Sequence, residues 1–557
     1  MSRKRSSEQL DVDAGGGGRV GAAGASFSKL GPLTWAEAQH EVWARTISDL
    51  ATHPQGQLLL RQLGDNLGGG ITFLTEFSGI DVPGMCLHGI MDEMKHRGFF
   101  DRADVHYQSA GDIDPRCRGI LAAWPPGQRA RLVGGDILNK LPREILTKLH
   151  NMVSAHAEDL TDSFIADEVI GFLTSSCGPP SSLSESCQVS GKPCKLLEHS
   201  IWQRPLRILI AGLTCVDFTH AGSQKGLRGK SALPILTWIW SRQEGLEDLI
   251  IIEEAQCFIR KMLPTLVKHL GSIYEVDAVL ACPSQFGWPM TRHRSFVRLT
   301  KKTLSITAPL HTDQLDCFKR SVELSGDDLF VDTAPSTRST ARPAPKKQTF
   351  TADPEVVVVT PKKKLKASAA AGSPGDSASP SATEGLSPSP LGSMEVVGER
   401  YMPTLTDSER RHVIDQVTRS CKDEQATLFV CNKTGKMSEP RRLCPSLTTS
   451  IKIWSSTHRR HMSGREHLMA LGIPHLPLQS SSSSSTTTSS GSSSSNPGVR
   501  STVGLRLPVE VDAAFSKMSE HDLRVLAGNS INVNVMAIIL AFSIASVAPV
   551  VPRTDIE

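Results

Sequence analysis

Four short, mostly apolar runs constrain the fold of this chain more than any other feature. The runs are ITFLTEF (71–77), RLVGGDI (131–137), RILIAGL (207–213) and LIIIEEA (249–255). Each is bounded by glycine, aspartate or another charged residue, and helix-like segments lie between them. Strands made of such runs are buried on both faces, as in a parallel sheet covered by helices. The pattern predicts a doubly wound, Rossmann-like α/β domain.

Composition predicts folded blocks separated by flexible stretches. The 557 residues include 44 glycines and 34 prolines, and only 5% are aromatic. Residues 521–545 are predicted to form one helix with a wide apolar face. From low-complexity and polar stretches we predict a disordered N-terminus (1–32), a globular domain (33–333) with an insertion at about 140–203, a disordered linker (334–395), a second globular region (396–478), a serine/threonine linker (479–501) and a C-terminal helical block (502–557).

Charge, hydropathy and cysteine usage limit the environment of the chain. The net charge of +4 neither requires nor excludes nucleic acid as a partner, and no feature indicates the oligomeric state. No apolar run reaches the roughly 18 residues that a membrane span needs, so no membrane partner is expected. The twelve cysteines lack a repeating frame and paired CxxC spacing, which predicts a reducing compartment and no metal site. The segment PKKKLK (361–366) weakly favours a nuclear location; the alternative is a solvated basic linker.

Three segments carry residues suited to binding a nucleotide. In ITFLTEFSGIDVPG (71–84), Ser78 and Gly79 form a small-residue turn that lets a ligand approach the backbone. In VHYQSAGDIDP, Asp112 lies where a carboxylate accepts hydrogen bonds from a ribose diol. In LVGGDIL, Asp136 suits an adenine amino group and Ile137 suits packing on the ring. Taken singly, each segment is explained as well by an ordinary strand–helix turn or by a turn-capping aspartate.

Further strand ends carry reactive or charged side chains. Cys215 follows a buried strand and precedes a loop rich in glycine, lysine and arginine, although many free cysteines are simply buried. LIIIEEAQCF places a carboxylate, Glu253, where it could hydrogen-bond a ring nitrogen; the alternative is a solvated strand end. Arg292 and Arg294 would share one face of a strand and suit a base carbonyl and phosphates; the alternative is an exposed edge strand.

The order of these motifs resembles that of the cytosine-C5 DNA methyltransferase family along nearly the whole chain. FSGIDVPG, GDIDP and GGDIL are similar to its three cofactor motifs, TCVDFTHAGSQKGLRG to its nucleophile motif, IIIEEA to its acid motif and FGWPMTRHR to its paired-arginine motif. RHMSGREHLMALGIP (460–474) and LAGNSINVNVMAIILAFSIA (526–545) resemble its C-terminal signatures. The resemblance implies that 33–333 is the catalytic domain, that 396–478 contains the target-recognition region, and that 502–557 completes the catalytic domain.

The resemblance also implies the chemistry and the residues that perform it. The cofactor would be S-adenosylmethionine, and the partner would be duplex DNA with RNA as an alternative. Cys215 would attack C6 of a flipped cytosine, and Glu253 would hydrogen-bond N3. Arg294 would hold the base O2, supported by Arg292. The implied cofactor-binding residues are Phe77, Ser78, Gly79, Ile80, Asp112, Ile113, Asp136, Ile137, Asn529 and Ser530.

Several residues depart from the family pattern and leave three functions open. The departures are Thr214 before the nucleophile, Glu254 and Ala255 after the acid, Met290 in the paired-arginine motif, and Asp81 and Val82 where the first cofactor motif often has glycine. Of these, Glu254 is the most consequential, because a second carboxylate could perturb Glu253. The chain is therefore an active DNA methyltransferase, a non-enzymatic cofactor- or DNA-binding relative, or an RNA methyltransferase; the first is favoured because Cys215, Glu253, Arg292 and Arg294 are all present.

Overall fold

The protein is described here by a computed structural model covering residues 33, 41–155, 161–180, 184–187, 191, 193–195, 206–214, 216–219, 222, 224–331, 411, 427–431, 441–458, 460–474 and 507–549. Its strands are β1 (Ile71–Glu76), β2 (Val105–Gly111), β3 (Leu132–Gly134), β4 (Ser184–Ser186), β5 (Pro193–Lys195), β6 (Leu206–Ala211), β7 (Leu249–Ala255), β8 (Tyr274–Ala281), β9 (Arg294–Lys301), β10 (Leu304–Ile306), β11 (Leu428–Cys431), β12 (Lys452–Ser455), β13 (Arg460–His461) and β14 (Val547–Pro549). Its α-helices are α1 (Val42–Ala51), α2 (Gly56–Gly68), α3 (Val82–His96), α4 (Pro115–Ala123), α5 (Arg143–Ala155), α6 (Asp162–Ser176), α7 (Ala232–Arg242), α8 (Gln256–Leu270), α9 (Gly464–Ala470), α10 (Val509–Ser516), α11 (Glu520–Asn529) and α12 (Val533–Ala545).

Several predictions fall outside these residues. They are the nucleophile Cys215, the basic segment 361–366, the N-terminus 1–32 and the linkers 334–395 and 479–501.

A seven-stranded sheet forms the centre of the fold, in the order β3-β2-β1-β6-β7-β9-β8. Strands β3, β2, β1, β6 and β7 run parallel to one another. Strand β9 is antiparallel to both of its neighbours, β7 and β8. All four apolar runs became strands of this sheet, β1, β3, β6 and β7, so the predicted doubly wound α/β fold is confirmed. The strand order reverses between β1 and β6, and open α/β sheets place their ligand crevice at such a point.

Successive side chains in a strand point to opposite faces of the sheet. Because the strands carry apolar side chains on both faces, helices cover both faces. In β6, Ile208 and Ile210 belong to the core that contains α1, α2, α3 and α12, whereas Leu209 belongs to the core that contains α6, α7 and α8. Helix α6 comes from the predicted insertion, yet its Ile165, Val169 and similar side chains are buried in this second core.

The prediction of one helix over 521–545 is wrong, because the chain breaks between α11 and α12. Ser530 ends α11 in an extended conformation, and the Asn532 side chain caps α12 by accepting a hydrogen bond from the Val535 amide. Helix α12 is buried on every side and packs on α1, α2 and α3. The segment Glu520–Ala545 is long and apolar enough to cross a membrane, but 89% of its apolar window is buried inside the fold, as in a core helix.

A small antiparallel sheet, β11-β12-β13, lies in the region predicted to recognise the target. The carboxylate of Asp327 accepts hydrogen bonds from Thr427, from Ser455 (2.6 Å) and from Thr457 (2.8 Å). The Thr291 amide donates to the carbonyl of Cys444 (2.7 Å). The Asp327 bonds attach the small sheet to the segment after β10, and the Thr291 bond joins the residues just before β9 to the segment between β11 and β12.

Candidate active site

A cleft opens at the carboxyl ends of β1, β2, β3 and β6, where the strand order reverses. It contains about 440 Å³ of empty space. Its walls include five of the ten residues predicted to bind the cofactor, together with six that were not predicted. The lining residues are Glu76, Phe77, Gly111, Asp112, Ile113, Gly135, Asp136, Ile137, Lys140, Thr214 and Pro234.

The turn after β1, residues 77–81, forms one side of the cleft and has an unusual backbone. Phe77, Gly79 and Asp81 all have positive φ, at 53°, 56° and 69°. This left-handed conformation suits glycine, and it is uncommon for phenylalanine and aspartate. Of the residues in this turn, Phe77 lines the cleft, whereas the Ile80 side chain points into the main core. The Ile80 side chain is therefore part of the core and does not line the cleft.

The two predicted aspartates both face the cleft. Asp112 accepts hydrogen bonds from the amides of Gly79 and Asp114, each at 2.8 Å, and burial raises the pKa of its carboxyl despite these bonds. Asp136 accepts from the amide of Leu138 at 3.0 Å. Between them, Ile113 leaves 64% of its surface exposed. An exposed apolar side chain flanked by fixed carboxylates suits a flat heterocycle that carries polar groups at its edge.

Asn529 and Ser530 come from the far end of the chain to the turn after β1. A Cβ atom placed on Gly79 would lie 3.6 Å from the carbonyl oxygen of Asn529 and 3.8 Å from Oγ of Ser530. The two segments, about 450 residues apart in sequence, therefore lie side by side, and it is the positive φ of Gly79, rather than crowding, that favours glycine at this position.

The predicted acid and one predicted arginine form an ion pair beside this turn. Nε of Arg294 lies 2.9 Å from Oε1 of Glu253, and both side chains are largely buried. A Cβ atom placed on Gly212 would lie 3.3 Å from the carbonyl oxygen of Phe77 and 3.9 Å from Oε2 of Glu253. Gly212 therefore lies between the turn after β1 and the acid, with no side chain separating them.

Glu254 lies on the opposite face of β7 from Glu253, because neighbouring residues in a strand alternate. Its Oε2 accepts a hydrogen bond from the amide of Ala255 at 2.9 Å, and the side chain is buried. The two carboxylates therefore leave the strand in different directions.

The prediction that Arg292 and Arg294 share one face of a strand is wrong. Strand β9 begins at Arg294, and Arg292 lies in the preceding segment. The Arg292 guanidinium is buried and donates to the carbonyl oxygens of Leu447 (2.7 Å), Ser530 (2.9 Å) and Gly528 (3.3 Å). The sequence pattern suggested a strand, but these carbonyl groups from two distant segments hold Arg292 in the interior.

The loop around Cys215 is described only in part. Thr214 lines the cleft immediately before the cysteine, and Val216 immediately after it is 60% exposed. Asp217 is buried and accepts hydrogen bonds from the amide (2.8 Å) and hydroxyl (2.5 Å) of Ser231. These hydrogen bonds attach the segment that follows Cys215 to the start of α7.

A buried charge cluster at the base of the cleft was missed by the sequence analysis. Nζ of Lys140 lies 3.0 Å from Oε1 of Glu76, and Arg242 lies 3.8 Å from the same atom. Burial alone would raise the pKa of Glu76, but the charges of Lys140 and Arg242 outweigh it and hold the pKa at about 2. Residues 76 and 140 are 64 positions apart, so no local pattern indicates their pairing.

Lys140→Met is expected to lower the free energy of unfolding by about 3–5 kcal/mol, because it leaves the Glu76 carboxylate buried with only the more distant Arg242. The folded-state pKa of Glu76 lies below its ordinary 4.5, so the pair stabilises the wild type fully above that pH and loses its effect as the pH falls toward 2. Urea unfolding at neutral and acidic pH measures both effects. The exposed Lys148→Met is the control, with a change within about 0.5 kcal/mol; equal stability of the two variants would contradict the assignment.

Comparison with known proteins adds a distant likeness to methyltransferases. No protein-family model and no curated protein matches the sequence. Similar solved structures include the Dnmt2 methyltransferase of S. pombe (12% identity, TM-score 0.37, covering 85% of this chain and 97% of that chain) and a putative DNA modification methyltransferase from an E. coli prophage (13%, 0.35, 85% and 98%). A third is the Entamoeba histolytica methyltransferase EhMeth (8%, 0.34, 85% and 98%). With identities and TM-scores this low, the fold assignment rests on the sheet order and the site assignment on its own residues.

Proposed function

We propose that this protein is a cytosine-C5 methyltransferase that uses S-adenosylmethionine and acts on duplex DNA. The observation that carries the proposal is the junction at Gly212. There the turn after β1 meets the ion pair of Glu253 and Arg294, and the chain continues through Thr214 to Cys215. A cofactor cleft, an acid with a fixed guanidinium, and a cysteine at the next strand end are the parts this reaction requires.

The residues of the cleft fit a nucleoside cofactor. Phe77, Ile113 and Ile137 offer apolar surface for a purine, and the Asp112 and Asp136 carboxylates can accept hydrogen bonds from a ribose diol and an exocyclic amine. The backbone of residues 77–80 and of Asn529 and Ser530 would hold the amino-acid end. When bound, S-adenosylmethionine supplies an electrophilic methyl group.

The protein's own residues would activate the cytosine. The Cys215 thiolate adds to C6 of a flipped base, forming an S–C6 bond and moving electron density to C5. Glu253 hydrogen-bonds N3 and favours this addition, while Arg294 orients Glu253 and donates to the O2 oxygen. After C5 gains the methyl group, a base removes the C5 proton, and the electron pair left behind expels the thiolate and restores the ring.

Arg292 would act as a positioning residue. Its guanidinium fixes the carbonyl groups of Gly528 and Ser530 beside the turn after β1, and that of Leu447 in the predicted target-recognition region. Through these bonds, one side chain sets the position of the cofactor site relative to the segment expected to face DNA.

Transfer of tritium from labelled S-adenosylmethionine to nucleic acid tests the proposal. Duplex DNA is expected to gain label in its cytosines, at the C5 position, and Cys215→Ser is expected to transfer none. Parallel reactions with transfer RNA separate the two substrates. Label in RNA alone would favour the RNA enzyme, and no label in either substrate, with the cofactor still bound, would favour a non-enzymatic relative.

A further inference from the structure

A chain of hydrogen bonds through four buried side chains connects two residues of the turn after β1, Ser78 and Asp81, by way of Thr75 and Tyr107. Oγ of Ser78 and Oγ1 of Thr75 are 2.8 Å apart, and Thr75 Oγ1 lies 2.8 Å from the Tyr107 hydroxyl. That hydroxyl donates to Oδ1 of Asp81 at 2.7 Å. All four residues are at most 7% exposed, so water does not interrupt the chain.

The Ser78 end of this hydrogen-bond chain contacts Gly111, which lines the cleft. Ser78 Oγ accepts a hydrogen bond from the Gly111 amide (3.0 Å) and lies 3.1 Å from the Gly111 carbonyl oxygen. Gly111 lines the cleft next to Asp112, whose carboxylate holds the amide of Gly79. The Ser78 hydroxyl therefore has two alternative acceptors, Thr75 and the Gly111 carbonyl.

The other end of this hydrogen-bond chain is Asp81, a buried acid with a left-handed backbone conformation. Asp81 adopts a left-handed conformation (φ 69°) and caps α3 by accepting the amide of Gly84 at 3.1 Å. Burial raises the pKa of its carboxyl to about 7, although the bonds from Tyr107 and Gly84 oppose the rise. The other titratable groups that face it are Tyr107 from β2 and Cys86 from α3, and burial raises the pKa of both. Within the described part of the chain, no lysine or arginine acts on Asp81.

The charge of Asp81 fixes the direction of every bond in the chain, because a hydroxyl has one hydrogen to donate. Ionised Asp81 only accepts, so Tyr107 donates to it. Thr75 must then donate to Tyr107, and Ser78 to Thr75. Asp81 protonated on Oδ1, the oxygen that faces both Tyr107 and the Gly84 amide, can itself donate to Tyr107. The direction of the hydrogen bonds then reverses: Tyr107 donates to Thr75, Thr75 to Ser78, and Ser78 to the Gly111 carbonyl.

We propose that Asp81 is a positioning residue of the turn after β1. Its protonation state, transmitted through the hydrogen bonds of Tyr107 and Thr75, sets which acceptor the Ser78 hydroxyl uses. The inference rests on the proposed function for the identity of the ligand, S-adenosylmethionine. This ligand carries a positive sulfonium, so it binds best when Asp81 is ionised. Cofactor affinity therefore rises with pH through the titration of Asp81.

Infrared spectra of the free protein measure the titration of the Asp81 carboxyl, and its dependence on Tyr107, without any cofactor. A protonated, buried carboxylic acid is expected to give a C=O stretch that disappears as the pH rises through about 7, and that is missing in Asp81→Asn. Asparagine tolerates the left-handed conformation and keeps an acceptor for Tyr107, so this variant is expected to fold. Tyr107→Phe removes a bond that stabilises the ionised form, and the midpoint should move to higher pH. Tyr274→Phe, a second buried phenol, is the control with an unchanged midpoint.

Calorimetric titration with S-adenosylmethionine then tests the coupling. Wild-type affinity is expected to rise roughly three- to tenfold between about pH 6 and about pH 8, and the midpoint should shift in Tyr107→Phe as it does in the infrared spectra. S-adenosylhomocysteine lacks the positive charge and should show a smaller rise. A wild-type pH profile in Asp81→Asn, or no titrating carboxyl signal, would overturn the inference. A titrating carboxyl in a protein that binds no cofactor at any pH would instead overturn the proposed function.

Discussion

Wild-type protein is expected to form a denaturant-resistant adduct with duplex DNA that carries 5-fluorocytosine, in the presence of S-adenosylmethionine. Addition of Cys215 to C6 and methylation at C5 can proceed, but fluorine cannot leave C5 as a proton does, so the S–C6 bond persists. Cys215→Ser is expected to form no adduct, because a serine hydroxyl is a far poorer nucleophile near neutral pH. A denaturing gel with labelled DNA gives an all-or-none readout.

A second cysteine variant controls for nonspecific thiol chemistry in this experiment. Cys177 is partly exposed and lies at the end of α6, outside the proposed site. Cys177→Ser should form the adduct as well as the wild type does. An adduct that appears only with RNA would identify the substrate as RNA, and a wild-type protein that binds the cofactor but forms no adduct in any cytosine context would be a non-enzymatic relative.

Glu253→Gln is expected to slow methyl transfer by about 10²–10⁴-fold, the usual contribution of a positioned acid or base. Glutamine keeps the size of the side chain, but it cannot deliver a proton to N3 and loses its ion pair with Arg294. Affinity for S-adenosylmethionine should stay close to that of the wild type, because Glu253 does not line the cofactor cleft. Single-turnover rates and calorimetry together separate these two effects.

Glu254→Gln is the matched control for this variant. It removes the same charge from the same strand, one residue further on, but from the opposite face of the sheet. We expect its single-turnover rate to stay within a few-fold of the wild type. Equal losses in the two variants would show that general disturbance of β7 causes the defect, and would remove Glu253 from the proposed mechanism.

The sheet could be predicted from the sequence because its strands are local and apolar on both faces. In β7, the observed Leu249–Ala255 is the predicted run, and β1 and β6 differ from their runs by only one or two residues at either end. The positions of Asp112 and Asp136 followed from the same fact, since the carboxyl ends of parallel strands meet at one edge of the sheet. Local hydrophobic pattern was sufficient for both.

The break between α11 and α12 was harder to predict, because the apolar pattern continues across it. Leu526 before the break, Ile531 within it and Val533 after it are all buried, so hydropathy does not change there. The capping side chain of Asn532 marks the new helix start, and the Val533 amide donates to the carbonyl of Leu471 at 2.8 Å. The second of these contacts joins positions far apart in sequence, and only the folded chain brings them together.

The sequence by itself determined the class of sheet, the order of its strands along the chain and the strand ends that carry functional groups. Those features depend on side-chain periodicity, which is determined by residues close together in the sequence. The tertiary structure alone decided that the buried Arg292 guanidinium binds carbonyl groups of two distant segments, and that Glu76 pairs with Lys140. It also decided that Asp81 is linked to Ser78 through Tyr107 and Thr75. Each of these outcomes requires a specific distance between residues remote in sequence, and the energy of a buried charge or hydrogen bond depends on that distance and on the exclusion of water.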